Sequence, residues 1–431
     1  MAKEVTHMLN TRFGKAMSIN VVNLSQQEHQ IQSQLKQNRV VFVAHSNALL
    51  GLMKIKNGIQ KLTQDLTTVI AEDIHLMNAS YELALTLLMM EIRGSETRLI
   101  GISASLDDSE DLRKWLKINP ATTFNFAPKD RTLPISTTIQ TYSVVPSSAF
   151  MKALIKPSYS LIKTTAKGAI LFVPTRTQCR TVASDLITRS ATDSDYIGLA
   201  TEKSLELEPY LDRLVDKSLS SFLLNGIGLY YAGLPLEDLT LTLELFLTGV
   251  LRAIITPKDM CWSLPVRSST VCVLNTQYIT SKPKPDNPAE RSDKQIHEYS
   301  LNEVAHMQAY ASVDIDDDDM DDQSREFVLM AHENGNKDLY SYFLNAGLPL
   351  ESQLINSEEL TSFINHQVKN KDVKSNDIIN LLKNSYYGKR LSTNPTYYNI
   401  SNKDQQKETL SSLGENLYNA SMTLLSTVTT E

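Results

Sequence analysis

Short apolar runs alternate along the chain with longer segments in which apolar residues recur at helical spacing. This alternation is typical of parallel β-sheets whose strands are connected by helices. The pattern predicts two successive α/β units, the second beginning within Thr132 to Ser143. The predicted strands are Ile19 to Leu24, Val40 to Ala44, Thr68 to Ala71, Leu99 to Ala104, Ile170 to Val173, Ala253 to Thr256, Val271 to Asn275 and Glu326 to Met330, and the predicted helices are Asn78 to Met90, Ser148 to Ile162, Arg180 to Ile187, Leu205 to Leu224 and Leu236 to Phe246.

The pattern changes after Met330, where the sequence becomes helical and polar to its end. The segments Leu348 to Ser352, Ile378 to Tyr387 and Thr409 to Leu425 predict a small helical domain of winged-helix size. Two surface loops are predicted: Ser281 to His297 is rich in Pro, Lys and Asp, and Asp314 to Asp322 is acidic. The acidic run lacks the central glycine and the terminal Glu of a calcium loop, so we expect it to be solvated.

Composition favours a soluble globular protein of two or three domains, because 431 residues with 42% hydrophobic content exceed one compact unit. No apolar window has the length of a signal peptide or a membrane span, so secretion and membrane insertion are not expected. The net charge of -7 argues against a protein whose main affinity comes from phosphate contacts, although a local basic groove stays possible. The three cysteines lie in or beside apolar runs and predict reduced core residues of a cytosolic or nuclear protein.

The most informative motif follows the predicted strand Thr68 to Ala71. Glu72-Asp73-Ile74-His75 stands where nucleic-acid-dependent ATPases carry Asp-Glu-x-His, in which Asp holds magnesium and Glu orients the attacking water. The swapped order moves each carboxylate by about 1.5 Å, one methylene length, and a displacement of about 1 Å can lower a rate about a hundredfold. Taken alone, the pair fits a capped strand end as well as a metal site. No phosphate-binding G-x-x-x-x-G-K-[ST] occurs in the sequence, so the chain either lies downstream of that loop or has lost it.

Later motif positions have also lost their polar residues. The residues from His306 to Val313 stand where such enzymes carry Gln-x-x-Gly-Arg-x-Gly-Arg, and Tyr310 and Val313 replace both arginines. Arginine fingers at these positions contribute roughly a thousandfold or more to phosphoryl transfer. Ser263, shortly after Lys258, replaces a glycine that permits close backbone approach. The sequence therefore predicts a protein that retains the scaffold of these enzymes but lacks the residues for ATP hydrolysis.

Eight short motifs recur in a fixed order over nearly the whole chain: Phe13-Gly14-Lys15, Ile74-His75-Leu76, Phe124-Asn125-Phe126, Phe172-Val173-Pro174-Thr175-Arg176-Thr177-Gln178, Cys261-Trp262, Asn275-Thr276-Gln277-Tyr278, Leu348-Pro349-Leu350-Glu351-Ser352 and Asn394-Pro395-Thr396-Tyr397-Tyr398-Asn399. In this order the chain resembles the C-terminal cassette of the spliceosomal U5 RNA helicases that unwind U4/U6 RNA. The match is more specific than any single motif. The last two motifs belong to the winged-helix part of that cassette.

The resemblance implies an α/β fold with two RecA-like lobes, the first one incomplete, followed by a winged-helix domain. The implied boundaries are 1–130 for the partial first lobe, 131–335 for the second lobe and 336–431 for the winged helix. Members of this family carry two cassettes in tandem, of which the N-terminal one is the motor and the C-terminal one is catalytically quiet. The resemblance thus implies a nuclear protein-interaction and regulatory scaffold in pre-mRNA splicing. Its expected partners are splicing proteins of the U5 snRNP and spliceosome and the active cassette in cis, with weak or absent RNA contact and no membrane.

Family nucleotide-binding roles would fall on Glu72, Asp73, Ser103, Tyr310 and Val313, and all but Ser103 have changed chemical type or order. Lys258 would line the same vestigial cleft, and His75 completes the first degenerate motif. We therefore expect no catalytic residue, no metal site and no cofactor, with ATP and magnesium only as a vestigial possibility.

Two other interpretations stay open. An active ATP-dependent RNA helicase module would need an upstream phosphate loop and an arginine finger from a partner. The equivalent cassette of the paralogous helicase that acts in ribosome quality control would be expected to keep more ATPase residues, so Tyr310 and Val313 count against it. The tyrosine pairs at 230–231, 386–387 and 397–398 are expected mainly to pack internally, with a few on a partner surface.

Overall fold

The computed structural model describes residues 2–24, 39–55, 58–144, 148–165, 168–192, 207–282, 293–312, 325–370, 373–400 and 405–428. The chain divides into two compact units. Unit 1 combines residues 1–127 with residues 347–431, and unit 2 comprises Pro128–Ala346.

The first stretch of unit 1 contains two separate pairs of parallel strands, β1 with β2 and β3 with β4. Several apolar side chains on or just after these strands are exposed, among them Val41 and Ile70. The strands are β1 (Asn20–Leu24), β2 (Val40–Ala44), β3 (Thr68–Ala71) and β4 (Arg98–Gly101), and the helices are α1 (Ala2–Leu9), the π-helical Asn10–Gly14, α2 (Lys15–Met17), α3 (Ser46–Lys54), α4 (Gly58–Thr63), α5 (Ala79–Glu91) and α6 (Glu110–Leu116).

Unit 2 is built on an all-parallel sheet of six strands in the order β5-β12-β9-β6-β8-β7. Every residue of β6 and β8 is buried, as expected of a parallel sheet covered on both faces. The prediction of an α/β fold with a parallel sheet is confirmed, and this topology is consistent with a RecA-like lobe. The strands are β5 (Ile135–Tyr142), β6 (Ala169–Val173), β7 (Ile227–Leu229), β8 (Ala253–Pro257), β9 (Thr270–Leu274), β10 (Gln277–Lys282), β11 (Asp293–Glu298) and β12 (Arg325–His332), and the helices are α7 (Ser148–Thr164), α8 (Arg176–Thr192), α9 (Glu208–Leu211), α10 (Ser220–Leu224), α11 (Leu236–Leu247), α12 (Leu301–Ala309) and α13 (Lys337–Ala346).

One predicted helix is interrupted and one predicted loop is partly regular. The segment Leu205 to Leu224 breaks between α9 and α10 because the buried carboxylate of Asp238 accepts hydrogen bonds from the backbone N–H groups of Val215 and Asp216. The ends of the predicted loop Ser281 to His297 belong to the antiparallel hairpin of β10 and β11. Residues 283–292 and the acidic run Asp314 to Asp322 lie outside the described residues.

The second stretch of unit 1 shares a hydrophobic core with the first. Leu83 of α5 lies in one buried cluster with Leu354, Phe363 and Leu410. In the described part of 347–428 the regular elements are helices, and no strand occurs. The winged-helix assignment and the division into three domains stay predictions. The helices are α14 (Glu358–Asn370), α15 (Ser375–Asn384), α16 (Tyr386–Thr393) and α17 (Gln406–Val428).

None of the helices among the described residues combines the length and the apolar character that crossing a membrane requires.

Candidate functional site

The first degenerate motif forms a turn directly after β3. Glu72 is exposed, and its carbonyl oxygen accepts a hydrogen bond of 2.6 Å from the Tyr81 hydroxyl. Asp73 has left-handed backbone geometry, with φ of 51°, and begins the short 3-10 helix Ile74–Leu76. The Ile74 N–H donates to the Ile102 carbonyl at 3.1 Å, which ties this turn to the end of β4. The backbone of the motif is therefore fixed while its carboxylates stay accessible.

His75 joins the two motif segments of the first lobe. Its side chain is buried, and Nδ1 accepts the Ala104 N–H at 3.1 Å, which leaves the ring proton on Nε2 in the neutral tautomer. Ser103 lies beside this bond and is exposed. The predicted strand Leu99 to Ala104 ends earlier, at Gly101, and the chain beyond it turns toward His75.

The carboxylates of Glu72 and Asp73 affect the pKa of Tyr81 on α5. Burial, then the charge of Asp73 and that of Glu72, raise the pKa of Tyr81, so its hydroxyl stays a hydrogen-bond donor. Among the described residues there is no group of three or more His, Cys, Asp or Glu side chains that could hold a metal ion. Glu72 and Asp73 therefore have no third His, Cys, Asp or Glu side chain beside them within the part of the chain that the structure describes.

Tyr310 is a core residue of unit 2. Its hydroxyl donates to the Cys261 carbonyl at 2.9 Å, and its ring packs against Phe172 with centroids 5.8 Å apart. Burial, followed by the nearby Cys261, raises the pKa of Tyr310 to about 12. The side chain at the first finger position is thus neutral and engaged within its own unit. The second finger position, Val313, lies outside the described residues.

Lys258 is held by an ion pair and by aromatic rings. Its Nζ lies 2.7 Å from Glu303 Oε1 and 4.2 Å from the ring centroid of Tyr278. Burial opposes ionisation of Glu303, but hydrogen bonds from Lys258 and Ser300 lower the pKa of this carboxyl below its ordinary value. The ammonium charge of Lys258 is therefore balanced inside unit 2. Its role as a vestigial nucleotide contact stays a prediction.

A buried carboxylate on α5 was not predicted from the sequence. Glu82 is 1% exposed, its Oε2 accepts from Ser352 Oγ at 2.6 Å, and its Oε1 accepts from the Tyr387 N–H at 2.7 Å. Burial outweighs these hydrogen bonds and raises the pKa of Glu82 to about 7. The available signal was an acidic residue in the first turn of a mostly apolar helix.

A second network connects the two motifs that we assigned to the winged helix. Arg390 lies between Asp111, at 2.6 Å from Nη1, and Glu351, at 3.0 Å from Nε. Glu351 also accepts from Asn394 Nδ2 at 2.7 Å and from the Tyr398 hydroxyl at 2.9 Å. The motifs Leu348 to Ser352 and Asn394 to Asn399 are thus parts of one polar cluster.

The tyrosine pairs mostly pack internally, as expected. Tyr230, Tyr386 and Tyr387 are buried, whereas Tyr397 is 58% exposed. The hydroxyl of Tyr231 accepts from Arg180 Nε at 3.1 Å. Tyr397 is therefore the member of these pairs that offers most of its ring to solvent.

The stability of unit 1 is expected to fall as pH rises from 5 to 7 because of Glu82. Its pKa of about 7 in the folded state exceeds 4.5, the ordinary value of a glutamate side chain. The folded state therefore binds more protons between these values, and each step toward higher pH favours unfolding until the group is ionised in both states. The loss is about 2 to 3 kcal/mol. Urea unfolding at pH 5, 6, 7 and 8 measures it, with Trp115 fluorescence as the probe in a Trp262→Phe background.

Glu82→Gln is the matched variant, because an amide can still accept from the Tyr387 N–H and donate to Ser352 Oγ. The free energy of unfolding of this variant should not depend on the ionisation of residue 82. The parent protein should therefore become progressively less stable relative to the variant as pH rises to about 7. Parallel pH profiles for the two proteins would refute the assignment.

A scan against protein-family models gives no match. The U5 small nuclear ribonucleoprotein 200 kDa helicase of Drosophila melanogaster is 30% identical over 308 residues, which are 71% of this chain and 14% of that protein. The DExH-box ATP-dependent RNA helicase DExH13 of Arabidopsis thaliana is 26% identical over 418 residues, 93% of this chain and 18% of that protein. Proteins similar to the chain include U5 200 kDa helicases and DExH-box RNA helicases.

The chain is therefore similar in sequence to a part of these helicases. The chain spans 14 to 18% of the length of these two relatives. Among solved structures, the Mycobacterium smegmatis helicase Lhr matches with a TM-score of 0.49 and 14% identity, over 90% of this chain and 46% of that one.

Proposed function

We propose that the chain is a catalytically degenerate helicase cassette that acts as a protein-interaction and regulatory scaffold in pre-mRNA splicing. Its setting would be the nucleus, its partners splicing proteins of the U5 snRNP and spliceosome, and its target of regulation an active helicase cassette in the same polypeptide. RNA contact by this cassette would be weak or absent, and neither ATP nor magnesium would be required.

The observation that carries the proposal is the position of Tyr310. A finger must place a positive charge on the transferring phosphoryl group, where it contributes roughly a thousandfold or more to the rate. Here the position holds a neutral phenol whose hydroxyl is bonded to Cys261 within the core. Supplying this charge would require another residue or a partner.

The state of the other motif residues supports the same proposal. Lys258 is balanced by Glu303, and Glu72 and Asp73 stand in swapped order without a third acidic or imidazole ligand in the described chain. Efficient ATP hydrolysis would require that several independent losses of motif residues be compensated at the same time. A fold that is retained without its residues for ATP hydrolysis fits a cassette whose function is to contact other proteins. The homology to U5 200 kDa helicases favours splicing as the setting.

ATP turnover tests the loss of catalysis. The purified chain is expected to hydrolyse fewer than about 0.01 ATP per second with or without RNA, far below the usual range of enzymes. Glu72→Gln should leave this background unchanged, as should Glu91→Gln, an exposed substitution on α5. RNA-stimulated turnover that Glu72→Gln abolishes and Glu91→Gln spares would refute the proposal.

Affinity capture from nuclear extract tests the proposed setting. The folded chain serves as bait at moderate salt, heat-denatured chain is the control, and bound proteins are identified by mass spectrometry. Enrichment of U5 and other splicing proteins on the folded bait is the expected result. Enrichment of ribosomal and translation-quality-control proteins would move the cassette to the paralogous helicase.

A further inference from the structure

A surface groove of about 620 Å³ lies within unit 1, between the start of α5 and the start of α14. Both of the motifs that the Arg390 cluster connects contribute to its lining. Ser352 and Gln353 come from the end of the first motif and the residue after it, and Tyr397 and Asn399 from the second. We call this surface the amide groove, because the side chains of Asn78, Gln353, Asn356 and Asn399 line it.

Hydrogen bonds within unit 1 fix the walls of the amide groove. The Ser352 N–H donates to the Tyr398 hydroxyl at 3.0 Å, and that hydroxyl donates to Glu351 at 2.9 Å. Ser352 Oγ donates in turn to the buried Glu82. The groove is therefore formed before any ligand arrives, which lowers the entropic cost of binding.

Polar groups at the groove surface are available to a ligand. The side-chain amides of Gln353, Asn356 and Asn399 are exposed and form no hydrogen bond with another described residue. An amide group offers donors and an acceptor, the same complement as the backbone of an extended peptide. Tyr397 adds an aromatic face that is 58% exposed.

The charge of the amide groove is negative. Glu358 and Glu359 are exposed and are the charged residues among its described lining, which holds no Lys or Arg. They stand in the first turn of α14, whose helix dipole offsets only about half a unit of their charge. Phosphate groups would be repelled here, whereas an arginine side chain could pair with a carboxylate and stack on the Tyr397 ring.

We propose that the amide groove binds an extended basic peptide segment of a partner protein. Arginine side chains of the segment pair with Glu358 and Glu359 and stack on Tyr397, and its backbone bonds to the amides of Gln353, Asn356 and Asn399. This assignment deepens the proposed docking role and rests on it for its biological setting. Peptide binding is measured without ATP, so failure of this assignment and failure of the proposed loss of catalysis are separate results.

The test is fluorescence anisotropy with the whole chain at 50 mM salt and three labelled probes of ten units. They are a peptide of alternating Arg and Gly, the same peptide with Glu in place of Arg, and decauridine RNA. The Arg-Gly peptide is expected to bind at least about tenfold more tightly than either other probe, because two ion pairs and a cation-π contact favour it. Glu358→Gln/Glu359→Gln should weaken its binding about five- to tenfold, and Tyr397→Ala about two- to fivefold.

Glu408→Gln/Glu415→Gln is the matched control, since it removes two exposed acids of unit 1 from α17, Glu408 also being in a first helical turn. This control should change the affinity less than twofold. An equal loss in both double variants would reduce the binding to general attraction by an acidic protein and overturn the assignment. Absence of Arg-Gly binding, or tighter binding of the RNA or the Glu peptide, would overturn it as well. Thermal melting of each variant verifies that the fold is intact.

Discussion

Replacing Arg390 with methionine is expected to lower the free energy of unfolding of unit 1 by about 3 to 5 kcal/mol. The substitution leaves the carboxylates of Asp111 and Glu351 facing each other, and the Asp111 side chain is only 4% exposed. Lys389 Nζ stays 3.9 Å from Asp111, but the loss of the cation between two largely desolvated carboxylates is still far more costly than the loss of a surface pair. Urea unfolding at pH 7 measures the effect, again with Trp115 fluorescence in the Trp262→Phe background.

Lys114→Met supplies the control in the same unit. Lys114 pairs with Glu110 at 3.0 Å, but both side chains are nearly half exposed, so we expect no resolvable loss in the free energy of unfolding. If Arg390→Met and Lys114→Met changed the free energy of unfolding equally, the buried cluster would not hold the two motifs together.

Gly347→Ala is expected to cost about 3 kcal/mol or more in unit 1, since strained backbone geometry and overpacking each cost about 1 to 3 kcal/mol. The φ of Gly347 is +118°, which L residues rarely adopt. An added Cβ would also lie 2.6 Å from the carbonyl carbon of Leu106, and backbone cannot move aside as a flexible side chain can. The measurement is the same urea unfolding.

Gly94→Ala separates the two contributions. Gly94 also has positive φ, +87°, but its Cβ would meet nothing within 4 Å, so we expect a cost of about 1 kcal/mol. Equal losses for both variants would show that the contact with Leu106 adds nothing to the cost at Gly347.

Four strands of the unit 2 sheet could be predicted because they are mainly apolar runs, such as Ala169–Val173, which suit a parallel sheet covered on both faces. The other two strands, the Thr-rich β5 and the three-residue β7, carry no such pattern and were not predicted. The break in Leu205 to Leu224 could not be predicted, since its cause, Asp238, comes from another helix. The hairpin of β10 and β11 was missed because its strands are mostly polar. The local pattern of apolar residues thus predicted the strongly buried elements. It did not predict a helix break that depends on a side chain distant in sequence.

The same distinction between local pattern and long-range contact applies to the candidate site. The identity of Tyr310 indicated a lost finger, but its bond to Cys261 needed the fold. The clusters around Glu82 and Arg390 join residues 270 and 279 positions apart, so no local motif could have paired them. The sequence shows which chemical groups are present, but only the fold shows which distant residues they contact.

The core that Leu83 shares with Phe363 and Leu410 has a consequence for how the protein is made. During synthesis, all of unit 2 has left the ribosome once Ala346 has emerged, whereas the first stretch of unit 1 can complete its core only after residues 347–428 have been made. Unit 2 can therefore reach its native packing before unit 1, whose two stretches lie on either side of it in the sequence.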